Sequence, residues 1–323
     1  MPKGSPLGPG VDPALLEKVL AGDFRAVARV ITAVENGAPG AVAYLRELFP
    51  LTGRCFTIGV TGAPGSGKST IVDRIASHYR ASQLKVGILA VDPTSPFSGG
   101  AILGDRIRMQ SHSLDSGTFI RSMATRGHLG GLAAATGDVM MVLDAAGFHV
   151  VIVETVGVGQ DEVEVAGTAE VTLLLLTPGM GDDVQAMKAG IMEIGDVFVI
   201  NKADHAGADR LEGELKSVLA IARRPDGWKP LVVRTIASEG KGIDQCIAAI
   251  ESYRQFLAGS EFRAQRLVEI QKNRLLDVAR SLILNGLRRD EDTEAMLDRL
   301  ARKVLNREID PFSAAELLLR TRE

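Results

Sequence analysis

Gly62-Ala63-Pro64-Gly65-Ser66-Gly67-Lys68-Ser69 fits the pattern GxxxxGK[ST] without a mismatch. The apolar run Phe56-Thr57-Ile58-Gly59-Val60 before it reads as a buried strand, and Thr70-Ile71-Val72 through Tyr79 after it as an amphipathic helix. A strand, a glycine turn and a helix in that order aim successive backbone N–H groups at one point. The helix N-terminus adds partial positive charge there, so a polyphosphate is the natural guest. In this reading Gly62, Ala63, Pro64, Gly65, Ser66, Gly67, Lys68, Ser69 and Thr70 form the cradle. Lys68 reaches the β- and γ-phosphates, and the Ser69 hydroxyl binds Mg²⁺.

A second short apolar strand, Val197-Phe198-Val199-Ile200, ends in Asn201-Lys202-Ala203-Asp204, the pattern NKxD. A carboxylate at Asp204 can accept hydrogen bonds from guanine N1–H and the exocyclic amino group. Adenine offers neither donor there, and an unmet buried carboxylate costs roughly a hundredfold or more in affinity. Lys202 can lay its aliphatic stem over the base plane, and Asn201 can tie the base loop to the phosphate loop. Alone the pattern is ordinary loop chemistry; beyond a matched phosphate loop it favours GTP over ATP. The strand Leu231-Val232-Val233-Arg234-Thr235-Ile236 leads into Ala237-Ser238, the place where G proteins set a backbone N–H against guanine O6.

With 323 residues, 46% hydrophobic and 4% aromatic, the chain can bury one large domain and carry helical additions. A net charge of −3 and a pI near 6.0 argue against a nucleic-acid groove. Cys55, expected in a strand, and Cys246, on a helix, read as isolated core thiols of a reducing compartment. No apolar run approaches the ~20 residues of a membrane-spanning helix, and the start Met1-Pro2-Lys3-Gly4-Ser5 lacks an apolar export segment. The expectation is a cytoplasmic protein without membrane or nucleic-acid partners.

The expected fold class is α/β, a P-loop NTPase with a mainly parallel central sheet flanked by helices. Residues 1–50 form an N-terminal helical segment, 51–258 the nucleotide domain and 259–323 a C-terminal helical extension. Strands are expected at 55–61, 85–91, 118–123, 149–154, 171–177, 196–201 and 231–236, alternating with amphipathic helices. In the extension, Leu275, Val278 and Leu282 share one helical face, and Leu297, Leu300 and Val304 another. Such stripes need a cover, either the chain's own core or a second subunit, which favours a homodimer.

Acidic residues follow several strands towards the edge where ligands bind in such sheets. Asp92 closes Val86-Gly87-Ile88-Leu89-Ala90-Val91, Glu154 closes Val150-Val151-Ile152-Val153, and Asp105 follows the glycine-rich stretch Ser98 to Gly104. Mg²⁺ takes one or two carboxylates beside phosphate oxygens and waters, so Ser69, Asp92, Asp105 and Glu154 are the candidate ligands. Each acid could instead cap a helix or sit in a solvated turn. Lys68, Asp92 and Glu154 are the candidate catalytic residues; Asp92 could either hold Mg²⁺ through water or orient the attacking water. Glu154-Thr155-Val156-Gly157 stands where regulatory GTPases carry DxxG, which places the Gly157 N–H against the γ-phosphate. Gln160 reads either as a water-orienting residue or as a polar helix start. Arg106, Arg108 and Arg126 lie in or near glycine-rich segments, and none is an evident arginine finger.

The chain as a whole resembles the MeaB/ArgK/MMAA-type GTPases, a branch of the SIMIBI-class P-loop proteins. The matching stretches are Val91 to Ser95, Gly99 to Arg106, Leu129-Gly130-Gly131, Val153 to Gln160, Asn201 to Asp204 and Asp310 to Ala315. The resemblance implies a homodimeric chaperone of adenosylcobalamin-dependent acyl-CoA mutases, typically methylmalonyl-CoA mutase. GTP binding and hydrolysis would gate cofactor loading and protect the mutase, with 92–108, 154–167 and 177–188 as switches. Hydrolysis is then expected to be slow alone and faster with the partner. No DxHxxG signature occurs, so cobalamin is expected to belong to that partner. Three rivals stand beside this reading. A nickel-type metallochaperone would need a thiol or imidazole cluster, which two distant Cys and five scattered His do not supply. A GTP-dependent kinase of a transport protein would need an acceptor site. A non-hydrolysing scaffold differs only in rate.

Overall fold

The computed structural model describes residues 10–92, 115–124, 131–155, 167–179, 194–221, 224–288 and 291–320. Apolar runs too short for helices become seven strands: β1 (Phe56–Gly62), β2 (Val86–Asp92), β3 (Thr118–Ala124), β4 (Val150–Thr155), β5 (Val171–Leu176), β6 (Val197–Asn201) and β7 (Leu231–Thr235). They lie in the order β3-β2-β4-β1-β5-β6-β7, and every pairing among them is parallel. Each strand begins and ends within a residue of its predicted limits. One consequence is a correction: Cys55 precedes β1 and is only half-buried, because its N–H and those of Gly53 and Arg54 turn instead to the Asp144 carboxylate.

Strands buried on both faces read as unbroken apolar runs, but alternation still sorts their side chains. On β4, Val150 and Ile152 join the core under α4 (Lys68–Ala81) and α7 (Ile243–Ala258), with Ile71, Ile75, Ile250 and Tyr253. Val151 and Val153 face the other way, into a core shared with α5 (Gly131–Ala145) and the N-terminal helices α1 (Pro13–Leu20), α2 (Phe24–Glu35) and α3 (Ala41–Leu48). There Phe24, Phe119 and Phe148 meet with ring centroids 5.8 to 6.0 Å apart. A smaller core lies beneath α6 (Ala208–Ile221), where Leu211 and Leu215 cover Phe198 and Ile200. Of the N-terminal helices, α1 and α2 start on side-chain caps, Asp12 for α1 with Pro13 in its first turn and Asp23 for α2.

The chain divides into two compact units, Met1–Arg274 and Leu275–Glu323, with α8 (Phe262–Arg288) continuing through the division. In the second unit α9 (Glu291–Leu305) is followed by α10 (Pro311–Arg320). Asp310 caps α10 by accepting from the N–H groups of Phe312 and Ser313 and from the Ser313 hydroxyl. Leu300 and Ala314 are buried, whereas Leu305 and Phe312 are 81% and 83% exposed.

At the amino edge of the sheet Asp196 is fully buried and fastens three segments. Its carboxylate accepts from the Thr172 N–H at 2.9 Å and from Arg224 Nη2 at 2.7 Å, while its carbonyl accepts from the Trp228 indole at 2.9 Å. Removing Arg224 leaves the buried Asp196 carboxylate to the longer contact with Arg266, whose Nη2 lies 3.4 Å from its Oδ2, and so weakens the compensation of its charge. Arg224→Met is therefore expected to lower unfolding free energy by about 3 kcal/mol, read from equilibrium denaturation with urea. A loss below about 1 kcal/mol, the worth of an exposed pair, would show that Asp196 does not depend on it.

Candidate nucleotide site

The loop from Gly62 to Gly67 leaves the carboxyl end of β1 and enters α4. Gly62 adopts φ 142°, where an added Cβ would lie 2.3 Å from the Leu175 carbonyl oxygen on the neighbouring strand. Gly67, at φ 91°, caps α4 without a side chain, which leaves the first-turn amides of Lys68, Ser69 and Thr70 to face an anion. Lys68 is 6% exposed, and its ammonium donates to the carbonyls of Gly62 and Ala63 at 2.7 and 2.9 Å. Ala63, Pro64, Gly65 and Ser66 complete the turn, with the Ser66 N–H returning to the Ala63 carbonyl at 3.1 Å.

Alternation along the strands explains which polar groups reach this loop. Glu154 stands in register with Val60 and shares the α4 face with Val150 and Ile152. Its Oε1 accepts from the Ser69 hydroxyl at 2.6 Å, and the carboxylate is 8% exposed. The next residue, Thr155, points to the opposite face and donates to Thr61 Oγ1 at 3.0 Å. Two hard oxygen donors side by side at a helix N-terminus suit Mg²⁺, and the hydrogen bond leaves lone pairs of the Ser69 oxygen for a cation. Asp92 closes β2, the strand next to β4, two residues beyond Ala90, which pairs with Glu154. Asp105 and Gly157 lie outside the described residues, as do Gln160, Arg106, Arg108, Arg126 and most of the three segments expected to switch.

At the NKxD pattern, Asn201 ends β6 on the same face as Val197 and Val199. Its Nδ2 donates to the Ser66 carbonyl at 2.8 Å, while its Oδ1 accepts from Thr235 Oγ1 at 3.0 Å and from the Ala237 N–H at 3.1 Å. The chain leaves the strand through Lys202 at φ 55°, a left-handed conformation that costs a β-carbon residue about 1–2 kcal/mol. The following Ala203 N–H bonds the Thr235 carbonyl at 3.1 Å. Asp204 stands 49% exposed, with His205 Nε2 4.0 Å from its carboxylate. Ala237 and Ser238 open a short 3₁₀ turn ending at Glu239.

The structure therefore brings the phosphate loop, Ser69 and Glu154 together, and joins Asn201 to both Ser66 and the Ala237 turn. Two residues absent from the sequence reading belong here: Thr235, which holds Asn201 in place, and Arg74 of α4, which donates to the Ala237 and Ser238 carbonyls. Thr235 shows its role only once β6 and β7 are paired, where it stands opposite Asn201 at the end of the strand. Arg74 carries no comparable signal, since an arginine on a helix is usually solvated. The cysteines stand apart, and burial pushes the Cys246 thiol up to about 12.

An added Cβ at Gly67 would lie 2.3 Å from Asn201 Nδ2. Gly67→Ala combines that clash with left-handed strain, together about 2–3 kcal/mol. The affinity for GDP, measured by calorimetry, should fall about fiftyfold; an unchanged affinity would show that the contact between Asn201 and the loop is dispensable.

Comparison with known proteins places this geometry in a family. The family model described as "Methylmalonyl Co-A mutase-associated GTPase MeaB" matches residues 27–292. A Pyrococcus abyssi protein named as a GTPase is 48% identical over 313 residues, spanning 95% of either chain. The mouse methylmalonic aciduria type A homolog, mitochondrial, is 35% identical over 276 residues, covering 84% of this chain and 66% of its own. A solved structure described as a LAO/AO transport system kinase is 26% identical, covers 96% of this chain and 98% of its own, and superposes with a TM-score of 0.65. The chain is a P-loop GTPase of the MeaB family.

Proposed function

We propose that this GTPase gates adenosylcobalamin loading onto an acyl-CoA mutase, methylmalonyl-CoA mutase or a close relative, and protects that enzyme. The match of residues 27–292 to a family described by its association with methylmalonyl-CoA mutase carries this reading. The site gives it a chemistry. GTP lies with its phosphates over the first-turn amides of α4 and against Lys68, which offsets charge developing on the γ-phosphoryl oxygens. Asp204 accepts from guanine N1–H and the 2-amino group, Lys202 covers the base, and the turn at Ala237 and Ser238 offers an amide to O6. Mg²⁺, when bound, supplies charge neutralisation at the phosphates; Ser69, Glu154, Asp92 and Asp105 are the residues that would hold it. Gly157 senses the γ-phosphate, so that its loss releases the segment behind β4.

Hydrolysis in this reading is slow in the isolated protein and faster with the mutase. The protein works as a homodimer in the cytoplasm, with the exposed residues Leu275, Leu282 and Leu297 of the two apolar stripes on the contact surface. Among the described residues no helix is long and apolar enough to cross a membrane. The likeness to a solved structure described as a transport system kinase supports a second reading, in which the γ-phosphoryl group passes to a protein acceptor.

Single-turnover hydrolysis of GTP with and without methylmalonyl-CoA mutase tests the proposal. Stimulation by the mutase, with phosphate released to water and Lys68→Ala inactive, is the expected result. Equal rates with and without the mutase would exclude it as an activating partner, and labelled phosphate on a protein acceptor would favour the kinase reading.

A further inference from the structure

Arg74 lies on α4, the helix whose first turn carries Lys68 and Ser69. Its Nε donates to the Ala237 carbonyl at 3.1 Å and its Nη2 to the Ser238 carbonyl at 3.0 Å. A guanidinium holding two consecutive carbonyls with two nitrogens of one rigid plane fixes the directions of both, whereas an ammonium is a rotatable point donor. No described peptide bond is cis. In a trans peptide the N–H points opposite to the carbonyl of the same plane, so holding the Ala237 carbonyl on the α4 side turns the Ser238 N–H away from α4.

The neighbouring amides have other duties. The Ala237 N–H bonds Asn201 Oδ1 at 3.1 Å, the Glu239 N–H bonds the Ile236 carbonyl at 3.0 Å, and the Gly240 N–H bonds the Ala237 carbonyl at 3.2 Å. The Ser238 N–H is the amide of the turn whose direction Arg74 sets. We propose that Arg74 is a positioning residue for guanine recognition, aiming the Ser238 N–H at the C6 oxygen of the base. This rests on the reading that the turn at Ala237 and Ser238 faces that oxygen. Because Arg74 and the phosphate-facing amides share one rigid helix, the polyphosphate and base contacts are then held in a common frame. Asn201 makes the same connection from the sheet side; Arg74 makes it from the helix side, through carbonyls rather than amides.

The test separates aiming from simple bracing by changing the ligand. Arg74→Met keeps the aliphatic stem and removes the donors, and Arg74→Lys keeps a charged donor group without the planar fork. Each is titrated with GDP and with the diphosphate of 2-aminopurine riboside, which retains the 2-amino group and lacks the oxygen at C6 and the N1–H that accompanies it. Arg74→Met is expected to weaken GDP about tenfold and the analogue less than about twofold, with Arg74→Lys recovering part of the loss. Equal weakening of both ligands, or undiminished GDP binding, would overturn the assignment. If the wild-type protein itself held GDP no more tightly than the analogue, the placement of the turn against the C6 oxygen would fall first, and the role of Arg74 with it.

Discussion

One side-chain amide holds the nucleotide site together. Asn201 spends its donor on the phosphate loop at Ser66 and its acceptor on Thr235 and the Ala237 N–H. These groups come from segments 135, 34 and 36 residues from it in sequence. With Asn201 3% exposed, all of them lie where water cannot substitute. The distance between the phosphate loop and the Ala237 turn is therefore set by a short, stiff side chain. Gly67 has no side chain for a related reason: a methyl group there would occupy the path of that amide.

The period-two geometry of the sheet decides which residues can take part. Asn201 and Thr235 are register partners at the carboxyl ends of β6 and β7, and Asn201 follows Val197 and Val199 onto the face covered by α4 and α7. Glu154 follows Val150 and Ile152 onto that face and meets Ser69. A slip of one residue in either strand would send these side chains to the opposite face. The apolar residues along each strand thus fix the register on which the polar ends rely. The buried Asp196, bonded to Thr172 and Arg224, anchors β5 and β6 at their other ends. Core packing and site geometry are one problem here.

Much of this was legible beforehand because the informative residues obey local rules. The strands announced themselves as short apolar runs between turns, and the phosphate loop and NKxD pattern each carry their geometry in their spacing. The link from Asn201 to the phosphate loop followed from that pairing of motifs. Cys55 was misplaced by a single position, since an apolar run does not reveal that the Asp144 carboxylate captures the chain just before β1. Arg74, Thr235 and the Asp196–Arg224 pair were not legible at all. Their roles depend on which strands become neighbours and on which carbonyls a helix passes, and neither is encoded in a local window. The acids proposed around Mg²⁺ stand between these cases. Glu154 could be placed from strand parity, whereas Asp105 falls outside the described residues.

The most direct measurement is the calorimetric affinity for GDP of the wild-type protein and of Asn201→Ala. Losing three buried hydrogen bonds at the junction should weaken binding by about 2–3 kcal/mol, roughly thirtyfold to more than a hundredfold, in a protein that still unfolds cooperatively. Wild-type affinity in Asn201→Ala would contradict the claim that this amide joins the two halves of the site.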